Sequence, residues 1–263
     1  MSAGPAWTYV RAEAAATPRR AAIGVTLAAV GGLALSHAVI PHFPDAAIGL
    51  LQQGFRLRTL GGVMLFNDVV AIYFAAFYVG LAGLVEGLVV AREQHRLELL
   101  LAKPVTPQGF LAARTGTVLL TSVLVGVAVT LAMLVALAGH FGDGAEISIL
   151  GALGAGLFVT AIALVQLAAL ESLLVRMRES FFALLAGSAV WLATVMPSAV
   201  LLYRPDLLDP RPWLADAITV SSLVWHGAQL AWLGPCALAM AVPCAIACVW
   251  AAGRVLARTD VAA

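Results

Sequence analysis

Two glutamates stand inside long apolar runs: Glu86 in "GLAGLVEGLVV" and Glu171 in "LAALESLLVR". An ionisable group in hydrocarbon is costly unless it faces protein or water, so each is a candidate for a polar path or gate. The plainer reading is that they snorkel toward, or pair with, Arg92 and Arg176, which lie under ~10 Å further along a helix. Gly83 and Gly87 flank Glu86 at helical spacing. Small residues four apart let helices approach closely, which favours a protein-facing Glu86 and leaves open whether the partner helix is in the same chain.

Other reactive side chains are poorly arranged for catalysis. The chain lacks the G-x-x-x-x-G-K-[ST] loop that cradles a triphosphate, and its single lysine, Lys103, directly precedes Pro104. It also lacks a G-x-S-x-G nucleophile turn. Ser221, Ser222 and His226 are close in sequence but have no strand-like or glycine-rich setting. Four histidines, His37, His42, His140 and His226, fall near span ends without ligand spacing, so no metal site is expected. Cys236, Cys244 and Cys248 share the last apolar run and read as small hydrophobes packed in the core. The expectation is a non-catalytic chain that binds no cofactor itself.

The elements that would position these groups follow from composition. The chain has 263 residues, of which 62% are hydrophobic and 11% charged, with mean hydropathy +0.98. A soluble domain carries about 25% charged residues. Spanning a hydrocarbon layer of ~30 Å takes about 20 apolar residues in a helix. Six spans are predicted, at about 21–40, 69–91, 117–139, 147–175, 181–202 and 229–253. Residues 1–263 thus form one all-α transmembrane domain, with 1–20 as an amphipathic helix on the membrane surface carrying Trp7 and Arg11. Putting both termini inside places Arg11, Arg19, Arg20, Arg92, Arg96, Lys103, Arg114, Arg176, Arg178, Arg254 and Arg258 in cytoplasmic segments. Arg56, Arg58, Arg204 and Arg211 then face outward, in keeping with the positive-inside rule. The location expected is the cell (inner) membrane, with multiple passes. No nucleic-acid partner is implied.

The largest predicted cytoplasmic loop, "AREQHRLELLLAKPVTPQGFLAART", concentrates charge in a chain that has only 15 basic and 14 acidic residues. From Glu93 to Lys103 there is neither glycine nor proline, and a continuous helix is predicted. Leu97, Leu100 and Leu101 would share one side, with Gln94, His95 and Glu98 opposite. Pro104 ends that helix, and Thr106-Pro107 supplies an N-cap and first-turn pair for the next. A solvated loop would explain the arginines but not the leucine stripe, so the pattern suits docking on a cytoplasmic protein.

This loop resembles the one after the second span in ABC-2 type transporter permeases, whose pattern runs roughly E-R-E-x-G-T-L-E-L-L-L-x-x-P-V. Arg92, Glu93, Leu97, Glu98, Leu99, Leu100, Leu101, Pro104 and Val105 match. Ala91 replaces the first acid, and His95-Arg96 stand where the family has Gly-Thr. The resemblance implies a coupling helix between the second and third spans, built from Arg92, Glu93, Arg96, Leu97, Glu98, Leu99, Leu100, Leu101 and Pro104. It also implies a separate ATP-hydrolysing subunit that binds ATP and magnesium, and a permease dimer with a second copy or a paralogous permease. The function implied is export across the cell membrane. A membrane scaffold or assembly factor, a permease serving metalloenzyme maturation and a secondary transporter are the alternatives. The last is disfavoured by the lack of an inverted repeat.

Overall fold

The computed structural model describes residues 19–54, 59–95, 106–141, 148–203 and 233–258, and these contain helices and turns but no strand. The helices are α1 (Arg19–Val39), α2 (Asp45–Gly54), α3 (Leu60–Leu84), α4 (Pro107–Leu137), α5 (Ile149–Leu174), α6 (Ser180–Tyr203) and α7 (Leu233–Leu256). Short 3-10 turns extend α1 through Ile40–His42 and α4 through Ala138–His140. α3 runs on through a π-helical segment, Val85–Val90, and a last α turn, Ala91–Glu93.

Helix starts follow local chemistry. Thr59, Thr106 and Ser148 adopt extended backbone, and each hydroxyl accepts the N–H three residues on, from Gly62, Gly109 and Gly151 at 3.1, 3.1 and 2.9 Å. Such a cap stabilises a helix by about 1 kcal/mol. Thr106 and Pro107 therefore open α4 as their sequence predicts.

α3, α4, α5 and α7 form the core, with α7 lying most extensively along α5. α1 crosses α3 and α4. Small residues set these distances. Gly126 on α4 lies beneath Thr160 of α5, and Gly156 on α5 lies beneath Thr130 of α4, so a β-carbon on either glycine would strike the facing threonine. Both threonine hydroxyls turn back to their own helix, bonding the Gly126 and Gly156 carbonyls at 2.7 and 2.8 Å. The polar atoms are satisfied while their methyl groups fill the crossing. At Gly234 of α7 a β-carbon would meet the Gly154 backbone of α5.

Among the described residues, five helices are long and apolar enough to cross a membrane: Ala21–His42, Leu60–Glu93, Gln108–Leu137, Ile149–Leu174 and Leu233–Leu256. Within α6, Ser180–Met196 is a shorter apolar stretch. Leu27, Leu35, Leu120, Leu124, Leu131, Val135, Met240, Ile246 and Trp250 point out of the bundle, an apolar belt suited to lipid rather than water. By helix length and composition this is a multi-pass membrane protein.

Three expectations need correction. α3 begins nine residues before the predicted span start at 69, because Thr59 caps it and its half-buried Asn67 and buried Asp68 bond α1 rather than lie in an outer loop. Cys236 and Cys244 are exposed and Cys248 is half-buried, so the cysteines do not pack as core residues. The predicted helix from Glu93 to Lys103 is interrupted at its start: α3 closes at Glu93, Gln94 and His95 form a turn, and His95 has φ 54°. The surface helix expected at 1–20 lies almost wholly outside the described residues, as do Arg96–Pro104 of the loop and the outer segment from 204 to 232.

Candidate functional site

One end of the bundle gathers Gly83, Glu86, Gly87, Arg92, Glu93 and Glu171, while Arg96–Pro104 lie outside the described residues. There α3 exits toward the charged loop, α4 enters from it, α5 turns into α6, and α7 ends with Gly253 set closely against Gln108 of α4. A helix leaves its last carbonyls and first N–H groups without internal partners. The α5–α6 connection at 175–179 is short and has both kinds in a few residues. Arg92 and Glu93 serve them. The Arg92 guanidinium donates through Nη1 to the Met177 carbonyl at 3.0 Å, and Glu93 Oε1 accepts the Ser180 N–H at 2.5 Å. A cation thus sits on a carbonyl after α5 and an anion on the first turn of α6, the arrangement favoured by both helix dipoles. Arg92 Nε is buried without a hydrogen-bond partner.

The turn that follows explains the shape of this junction. The His95 N–H bonds the Arg92 carbonyl at 2.9 Å, and the Gln94 N–H bonds the Val90 carbonyl at 3.0 Å. A left-handed residue just past the last helical turn is a common way to satisfy terminal carbonyls, and the position ordinarily belongs to glycine. A side chain there costs roughly 1 kcal/mol or more.

Gly83 and Gly87 pack inside the chain, against α4. A β-carbon on Gly83 would lie 2.8 Å from Val118, and one on Gly87 would lie 2.6 Å from Nε of Arg114, whose side chain runs across it. Glu86 does not share that face. It is exposed on the outside of the π-helical segment, so the glycines do not turn it into the bundle. A π turn shifts the helix face by adding a residue, which a regular helical reading of the sequence does not register.

Glu171 is the intramembrane acid that faces the protein. It is fully buried, three residues before α5 ends. The Thr115 hydroxyl of α4 donates to its Oε1, while Oε2 is buried without a partner. Among the described residues no ion pair joins it to Arg92 or Arg176, and Arg176 is exposed.

Two polar groupings were not visible as sites in the sequence. At the opposite end, His37 Nε2 and Asp68 Oδ2 meet at 2.7 Å, and the Asn67 amide donates to Ser36 Oγ at 2.9 Å. Adjacent polar pairs on α1 and α3 therefore interlock. Deeper in the bundle, the Tyr73 hydroxyl donates to Gln166, whose amide donates to Thr194 at 2.6 Å, joining α3, α5 and α6. Trp191 of α6 stacks on Tyr73 with centroids 5.9 Å apart. Only the coincidence of polar residues in otherwise apolar helices hints at either.

No family model matches the chain, and no curated protein or solved structure matches it.

Proposed function

We propose that the chain is the permease subunit of an ATP-binding cassette exporter of the ABC-2 type, driven by a separate ATPase. The observation that supports this most is the backbone at His95. The residues that resemble the family are Arg92-Glu93 and the leucine-rich run beyond, and the family has glycine where His95 stands. His95 adopts φ 54°, a conformation that suits glycine. The backbone at His95 is thus one that the glycine of the family pattern would adopt without strain, and this supports the resemblance.

The remaining parts of the reading follow. α6 has 24 residues, a length of about 36 Å at 1.5 Å per residue, enough to serve as a further span beside the five apolar helices. Six spans put both termini on the side of the charged loop. The balance of basic residues makes that side cytoplasmic. The loop at 96–105 then meets the ATPase, and a second permease, identical or paralogous, completes the path for the substrate.

Replacing Leu97 and Leu100 together by serine tests the docking. Each truncation removes about 2–5 kcal/mol from a packed apolar contact, so the tagged variant should lose its co-purifying ATPase while its folding in detergent is unchanged. An ATPase retained in full by the double variant contradicts docking through this loop.

A further inference from the structure

We infer that Arg92 and Glu93 form a transmission joint, through which displacement of the charged loop moves α6 in addition to α4. The inference rests on the permease reading for the source of the displacement, but the joint itself is a matter of contacts within the chain.

Two covalent routes leave the loop. One runs backward into α3 at Glu93, and the other runs forward through Pro104 and Pro107 into α4. α6 has no covalent link to it. Among the long helices α6 is the most lightly held: it touches α3, α5 and α2 sparsely, and its closest neighbour is the π-helical segment at 85–90. Its outward residues Phe181, Phe182, Leu184 and Leu185 are exposed. Midway along, Trp191 and Thr194 anchor it to Tyr73 and Gln166, so the placement of its first turn depends on what grips that end. At this end the grip is Glu93 on the Ser180 N–H, supported by Arg92 on the Met177 carbonyl.

The gripping residues also stand at two departures from regular helix. They follow a π-helical segment, a feature that recurs at functional sites, and they precede a left-handed residue. Rotation at 85–95 would therefore carry both side chains as a unit. Because one bonds the exit of α5 and the other the entry of α6, the short connection at 175–179 follows them. Arg92 and Glu93 are positioning residues in this account: they act on α6 through backbone atoms and touch no substrate.

The test has two arms. In the first, the full chain alone in nanodiscs is followed by amide hydrogen exchange. Loss of a cap of this kind should speed exchange in the first turn of α6 by roughly five- to tenfold in Glu93→Ala. Glu93→Gln, which keeps an acceptor oxygen, should restore protection. Unchanged exchange in Glu93→Ala overturns the joint, whatever the fate of the permease reading. In the second arm, a chain with its three cysteines replaced by alanine carries spin labels at Leu120→Cys and Leu185→Cys, both exposed positions. It is purified with its ATPase. Nucleotide should change the distance between labels in the parent and in Glu93→Gln. The change should vanish in Glu93→Ala although ATP hydrolysis persists, an uncoupling that local destabilisation alone would not produce. An equal change in Glu93→Ala overturns the transmission role. Failure to purify any ATPase refutes the permease reading instead and leaves the joint to be decided by exchange.

Discussion

Glu171 and Asp68 are both fully buried acids, yet their surroundings ask for opposite outcomes on substitution. Asp68 meets His37 across two helices, with Asn67 also within reach at 3.4 Å. Removing one member leaves the other buried and unsatisfied, so His37→Ala should cost roughly 2–4 kcal/mol. Glu171 has a single donor, Thr115, and one bare oxygen. Glu171→Gln keeps the acceptor and the volume, and should change stability by less than about 1 kcal/mol. Thermal unfolding of the two variants in nanodiscs checks the contrast; equal losses would contradict it. Glu171 was legible because a lone acid in an apolar run is conspicuous. Asp68 was not, since Asn67-Asp68 looks like the polar edge of a span, and its partner lies 31 residues away.

Among helices, what matters is which glycines face backbone and which face a movable side chain. Gly87 lies against Arg114, whose long chain can shift aside. Gly234 lies against the backbone of Gly154, which cannot. Gly234→Ala should therefore destabilise by about 1–3 kcal/mol, as overpacking does, while Gly87→Ala stays close to neutral. His95→Gly should stabilise by several tenths to about 1 kcal/mol, because it removes left-handed strain. Chemical or thermal unfolding reports all three, and a destabilised His95→Gly would refute the strain. Helix existence was read well from apolar length: α5 was predicted at 147–175 and runs from Ile149 to Leu174, and α6 at 181–202 runs from Ser180 to Tyr203. What the sequence hid was phase and interruption. The π turn at 85–90 swings Glu86 outward, and the turn at 94–95 breaks a stretch whose helix propensity is unopposed by glycine or proline.

For the whole molecule, the contacts of Arg92 with Met177, Glu93 with Ser180 and Gly253 with Gln108 bring the charged loop, the α5–α6 connection and the end of α7 to one end of the bundle. The connections between helices at that end, 94–106 and 175–179, are shorter than a nucleotide-binding domain, which takes about 50 residues or more. The sequence also lacks the G-x-x-x-x-G-K-[ST] loop that cradles a triphosphate. In the proposed permease, energy has to arrive by contact. The most direct test is phosphate release from ATP in liposomes containing the pure chain, with and without the ATPase that co-purifies with it from native membranes. The account predicts no hydrolysis by the chain alone and a hydrolysis by the pair that responds to the chain's presence; hydrolysis by the chain alone, or an ATPase indifferent to it, would contradict the account.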